Sequence, residues 1–259
     1  MSTIPLPPLS ANALFHFTNS FDNLINILTE EFRPRFCLEN LSVLWGTRRS
    51  KPALELAIPM VCFCDLPLSQ TSFHLSVYGD YGIGLTKDWG KRNGIAPVLY
   101  TYAESMLTSQ LVIIMKRIGK SKAKLARDLQ DDLSDVFNFV KPYEGELWRE
   151  GRIIPNLRFY NEREWRFVCT LPKGERYREG MPKAVFLDED KRREANTRIA
   201  SMSRISFEPN DIKYLIVRRE DEIVPLIRQV EAIKGKYGYE DVRLLASRVI
   251  STEQIRSDF

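Results

Sequence analysis

The chain has 259 residues, 44% of them hydrophobic and 28% charged, with 38 Lys+Arg against 34 Asp+Glu. Those proportions exclude a disordered or collagen-like chain, and a formal charge of +4 is too small to demand a nucleic-acid partner. The longest aliphatic run, Leu111 to Met115, is far below the roughly 20 apolar residues that span a bilayer, and the start lacks the basic and apolar regions of a secretion signal. A cytoplasmic protein with no membrane partner is therefore expected.

In chain order, Ala13-Leu-Phe-His-Phe-Thr18 alternates as a strand, with Leu14, His16 and Thr18 on one face and Ala13, Phe15 and Phe17 on the other. Ser20 can cap a short helix carrying Phe21, Leu24, Ile25 and Leu28, which ends before Pro34. Residues 33–57 show no clear period, hold the basic cluster Arg48-Arg49-Ser-Lys51 and read as a loop excursion. Ile58-Pro-Met-Val-Cys-Phe-Cys64 reads as a buried strand, and Ser69 to Tyr78 as a helix with His74 and Tyr78 on one face. Residues 121–140 have the clearest helical period, through Leu125, Leu129, Leu133, Val136 and Val140. Residues 157–169 alternate as one long strand; further strands are predicted at 184–187, 204–207 and 212–217, a helix at 222–234 and an extended or mixed segment at 242–250. Strands from end to end with helices inserted among them indicate one α+β domain over residues 1–259, with a helical insertion at about 103–150.

Several groups could carry chemistry. On a 157–169 strand, Tyr160, Glu162, Glu164 and Arg166 share one face, opposite Phe159, Trp165, Phe167 and Cys169; the apolar face is expected to be the buried one. Two carboxylates two residues apart, about 6.6–6.8 Å along a strand, can hold a sugar hydroxyl with one group and act as base or charge stabiliser with the other. The plainer reading is a solvated face with the glutamates paired to Arg158 and Arg166. His16 and Thr18 could hold a ribose, or His16 could be a half-buried histidine bonded to a neighbouring carbonyl. The glycines of Tyr78-Gly-Asp-Tyr-Gly-Ile-Gly-Leu85 let a flat ring or a phosphate approach the backbone, or make a tight turn. Lys116 to Arg127 holds six positive residues and no negative one, a phosphate-contacting patch or simply the wet side of a helix. Four cysteines and two histidines are a poor stock for a metal site. Cys62-x-Cys64 is closer than the two to four residues usual between zinc ligands, so no metal is expected and packed thiols are the simpler reading.

Taken together, Leu14-Phe-His-Phe-Thr18, Ile58-Pro-Met-Val-Cys-Phe-Cys-Asp-Leu-Pro-Leu-Ser69, Tyr78-Gly-Asp-Tyr-Gly-Ile-Gly-Leu-Thr-Lys-Asp-Trp-Gly90 and Glu162-Arg-Glu-Trp-Arg166 resemble the AbiGi family, from about residue 13 to the end of the chain. That family carries the label of an antitoxin in bacterial abortive-infection, or phage-resistance, systems. The ordered trio of His-x-Thr, a Tyr/Gly block and Glu-x-Glu also resembles the ADP-ribosyltransferase superfamily, whose members bind NAD between two small sheets. This second resemblance implies an ADP-ribosyltransferase-like split β-sheet core with inserted helices, and NAD as a substrate. His16 and Thr18 would contact the adenosine-side ribose and backbone, Tyr78 and Tyr81 would flank the nicotinamide, and Glu164 would be the catalytic glutamate, with Glu162 orienting or activating the acceptor. Here Phe63 stands on the strand where that superfamily's first tyrosine usually lies, and the two tyrosines fall only three apart. Three functions are thus expected: a phage-defence protein with a transferase-like site acting on a nucleic acid or protein, a non-catalytic antitoxin that binds a partner toxin, or an RNA-binding module using Lys116 to Arg127.

Overall fold

The computed structural model describes residues 10–45, 54–120, 124–149 and 151–258. Strand β1 (Ala13–Thr18) and helix α1 (Phe21–Glu30) come first, followed by β2 (Arg35–Asn40) and β3 (Glu55–Cys64). Next are α2 (Ser72–Tyr78), β4 (Tyr81–Thr86), α3 (Lys87–Arg92) and the short strands β5 (Ala96–Pro97) and β6 (Leu99–Thr101). Helices α4 (Met106–Lys120) and α5 (Lys124–Phe137) lead into β7 (Val140–Pro142), the hairpin β8 (Gly145–Arg149) and β9 (Arg152–Leu157), and β10 (Glu164–Val168). The remainder holds β11 (Met181–Pro182), α6 (Lys183–Phe186), α7 (Glu189–Met202), β12 (Ile212–Val217), α8 (Ile223–Lys234), α9 (Tyr239–Ala246), β13 (Val249–Ser251) and α10 (Thr252–Asp258). This is a mixed α and β chain, as its patterning indicates. It divides into two compact units, one of the chain up to Arg33, Cys62–Ile95 and Arg204 onward, the other of Pro34–Val61 and Ala96–Ser203.

In the first unit β13, β12, β4 and β1 are neighbours in that order, with β12 and β13 parallel and the other pairs antiparallel. The cap forms as its sequence requires, Ser20 accepting a hydrogen bond from Asn23 N at 3.2 Å, a contact of about 1 kcal/mol. The core is aromatic: Phe32 packs against Phe63, Phe207 and Trp89 at centroid separations of 5.2, 5.5 and 5.9 Å. Trp89 is fully buried, so its indole N–H needs a partner and donates to Ser206 O at 2.8 Å. The glycines of β4 have a packing explanation. A Cβ on Gly82 would stand 2.8 Å from Phe17 Cδ1, and one on Gly84 2.7 Å from Phe15 Cε1. The flat rings these glycines admit are the chain's own phenylalanines from the facing β1, registered Phe15↔Gly84 and Phe17↔Gly82.

In the second unit β3 pairs antiparallel with β2, from Arg35↔Met60 to Asn40↔Glu55, and with β11 at Met181↔Ala57. Past β10, Cys169 N donates to Pro59 O of β3 at 2.9 Å, and β10 also pairs with β5. The parallel pair β6–β7 and the antiparallel hairpin β8–β9 complete the pairing among the described residues. Phe36, Ala57, Leu171, Met181, Phe186 and Ile199 are the heart of the apolar core here.

Several expectations need correction. Residues 157–169 are not one strand: the chain leaves β9 at Leu157, makes a 3-10 turn over Phe159–Glu162, passes Arg163 in the left-handed region at φ 46° and only then enters β10. Residues 184–187 fall mostly in helix α6, and the 204–207 stretch makes only an isolated bridge, Phe32↔Ile205, whereas 242–250 is mixed as one of its two expected forms had it, α9 followed by β13. The expected 121–140 helix ends at Phe137 and Val140 belongs to β7, while 33–57 contains β2 and the start of β3. The cluster Arg48-Arg49-Ser-Lys51 lies outside the described residues.

Candidate functional site

The expected carboxylate pair exists, but inside the protein. Glu162 closes the 3-10 turn and Glu164 opens β10, with Arg163 between them in left-handed backbone. This reversal sends both side chains toward Lys141 on β7, whose Nζ donates to Glu162 Oε2 at 2.9 Å and to Glu164 Oε2 at 2.5 Å. Arg166 lies two residues along β10 from Glu164, hence on the same face, and its Nε donates to Glu164 Oε1 at 2.8 Å. Its remaining nitrogens donate to Asn138 O at 2.8 Å and to Glu39 Oε2 of β2 at 3.3 Å. Glu162, Glu164, Lys141 and Arg166 are 3%, 5%, 6% and 0% exposed. The charged face expected to be wet is therefore the buried one, while Trp165 and Phe167 on the other face are half-buried.

A buried charge survives only where its partners replace water, and this cluster provides them. Both carboxylate oxygens of Glu164 accept from a cation, and its backbone N–H donates to the Tyr100 hydroxyl at 2.8 Å. Burial alone would push the Glu164 carboxyl up; the Arg166 guanidinium and the Lys141 ammonium together outweigh it and hold the group well below the usual carboxylate range. Desolvation pushes the Tyr100 hydroxyl well above its ordinary value. The Lys141 ammonium also stands 4.7 Å from the centre of the Phe159 ring. Three carboxylates (Glu39, Glu162, Glu164) against two cations (Lys141, Arg166) leave one negative charge in excess.

The residues that the sequence pointed to for nucleotide binding belong to the first unit, and those for which the structure gives a side-chain contact are engaged within the chain. His16 Nδ1 lies 2.8 Å from Cys62 O, its ring edge-on to Phe32 and Phe63 at 5.3 and 5.8 Å. Thr18 ends β1, half-buried and in register with Tyr81. Tyr78 stacks on His74 at 5.5 Å. Tyr81 is buried and donates its hydroxyl to Glu222 Oε1 at 2.9 Å; burial, with Glu222 adding to it, has that hydroxyl pushed up to about 12. Of the basic run, Lys116, Arg117 and Lys120 are exposed on α4, whereas the side chains from Lys122 to Arg127 lie outside the described residues. Among the described residues no group of three or more His, Cys, Asp and Glu side chains is placed to hold a metal ion, and no helix is long and apolar enough to cross a membrane. Lys141, Tyr100 and Glu39 were missed from the sequence. The one available sign was a lysine set in the short apolar segment Phe139-Val-Lys-Pro142.

A family model described as "Putative abortive phage resistance protein AbiGi, antitoxin" matches residues 30–218. The chain belongs to the AbiGi family. The matched span contains the whole buried cluster and stops short of His16 and Thr18. Abortive phage resistance protein AbiGi of Lactococcus lactis subsp. cremoris is similar to this chain, 27% identical over 255 residues that cover 88% of the chain and 99% of that relative. No solved structure matches, so the AbiGi likeness is one of sequence. It supports a role in phage defence and leaves the chemistry to be argued from the residues.

Proposed function

We propose that this AbiGi chain is a non-catalytic antitoxin of an abortive-infection system, acting by direct contact with a partner toxin. The observation that carries the reading is the state of Glu164, whose two carboxylate oxygens are bound by Lys141 and Arg166 behind a 5%-exposed surface. A transferase glutamate must offer an oxygen to a ribose hydroxyl. Here that would require releasing a cation into a buried, water-poor setting, where an unpaired charge is costly. The description of the matching family as an antitoxin points the same way.

The alternative, an ADP-ribosyltransferase-like site with Glu164 and Glu162 catalytic and NAD as substrate, makes a separable prediction. The test co-expresses the chain with its cognate toxin and, in parallel, follows nicotinamide release from NAD by the purified chain. The expected result is restored growth, co-purification of the toxin and no nicotinamide release. NAD turnover by the wild type that disappears in Glu164→Gln would replace the contact reading with the enzymatic one.

A further inference from the structure

The second unit contains a cavity of about 530 Å³ beside the buried cluster, and its lining is unlike the chain's near-neutral average. Glu39, Glu104, Glu144 and Glu146 contribute four carboxylates, while Lys141 is the one cation among the described residues that line it. Over the described lining residues four against one is a net charge of −3; the Lys141 ammonium is already bound by Glu162 and Glu164, and Glu39 by Arg166, which leaves Glu104, Glu144 and Glu146. Glu104, Glu144 and Glu146 are exposed, and none forms an ion pair among the described residues.

The walls between these carboxylates are aromatic, with Tyr102, Tyr143, Trp148 and Phe159 facing the same space. One of these rings already takes a guanidinium: Arg158, exposed just after β9, lies 5.7 Å from the centre of Tyr143. Of these rings Tyr102 is 57% exposed, a residue type enriched where proteins meet. Carboxylates between aromatic faces suit a planar, weakly hydrated cation that can stack and pair at once, which is arginine rather than lysine.

We infer that this cleft seats an arginine-bearing segment of the partner protein, the carboxylates pairing with its guanidinium groups and the rings stacking on them. The inference rests on the antitoxin reading for the identity of the partner, though not for the chemistry of the cleft. A phosphate backbone is the wrong occupant, because the exposed carboxylates Glu104, Glu144 and Glu146 would repel it.

The probe is a fluorescein-labelled peptide, Gly-Arg-Gly-Arg-Gly-Arg-Gly, titrated with the full chain by fluorescence anisotropy. Binding should be clear at low salt, weaken as the Debye length shrinks below about 10 Å, and be weaker for the peptide with lysine in place of arginine. Glu144→Gln with Glu146→Gln should cut affinity by about tenfold or more while leaving the melting temperature unchanged, since both residues are exposed. Glu189→Gln with Glu194→Gln, removing two exposed charges of α7, should change nothing. Unchanged affinity in the 144/146 variant, or displacement of the peptide by a single-stranded RNA that itself binds there, would overturn the inference.

The toxin assay separates the two readings. Should the 144/146 variant still neutralise the toxin as well as the wild type does, the cleft is not the partner's seat and the antitoxin reading stands. Should the wild type fail to neutralise at all, the antitoxin reading falls, and the peptide titration still decides what the cleft binds.

Discussion

At the scale of single residues, Glu164 has the most to lose. Changing it to Gln keeps the shape but turns one oxygen into an amide that donates, aimed at Lys141 or Arg166, which only donate. Removing one partner of a buried ion pair costs about 3–5 kcal/mol, so Glu164→Gln should lower the urea unfolding midpoint markedly. A purely catalytic, solvent-facing glutamate would change it little. The pH dependence has a fixed sign. The Glu164 carboxyl titrates below its ordinary 4.5 in the folded chain. Its stabilisation is therefore complete above that value and is lost as pH falls toward the folded pKa. Wild type minus Glu164→Gln isolates this group from the other carboxylates, and that difference should shrink as pH drops below 4.5; a difference that stays constant or widens there would contradict the ion-pair account. The pair itself was legible from its two-residue spacing, but its burial was not. Burying the carboxylates depends on Lys141, 23 residues before Glu164 on another strand, and no local period records a partner that distant.

At the scale of elements, local chemistry read true wherever one element sufficed to determine it. The Ser20 cap, the alternation of residues 13–18, the apolar run ending at Cys64, the His74–Tyr78 helix face and the helix reaching Lys234 all appear where the sequence placed them. What failed were segments whose form depends on packing from elsewhere. The 157–169 run alternates except at Asn161, Arg163 and Val168, yet it is broken by a turn that lets two carboxylates reach a single ammonium. The Tyr/Gly block was equally ambiguous: its glycines permit a close approach, and only the β1–β4 register reveals that the approaching rings are Phe15 and Phe17. Hence Gly84→Ala, whose new methyl would stand 2.7 Å from Phe15 Cε1 and 3.2 Å from Tyr214 Cδ2, should destabilise by about 1–3 kcal/mol through overpacking. Combining it with Phe15→Leu should cost less than the sum of the two single changes. Additive losses in urea denaturation would show that the methyl meets something other than that ring.

At the scale of the whole molecule, stability and partner binding are linked through the amount of folded chain present. A protein of this size is held by about 5–15 kcal/mol, so the loss expected for Glu164→Gln removes a large share of the margin while leaving the exposed cleft carboxylates Glu104, Glu144 and Glu146 in place. Folded stability is greatest at about 10–20 °C and falls on warming, and in cells a deficit of this kind appears as lowered abundance through proteolysis and aggregation. On the contact reading proposed above, Glu164→Gln should therefore neutralise the toxin in the cold and fail at higher growth temperature, with the soluble level of the chain falling in step. The cleft variant, Glu144→Gln with Glu146→Gln, alters exposed groups only, so it should fail equally at both temperatures with its soluble level intact. Scoring growth and the soluble level of the chain together at two temperatures decides the matter. A Glu164→Gln chain that stays soluble and abundant yet fails in the cold would mean that its carboxylate acts on a ligand rather than holding the fold.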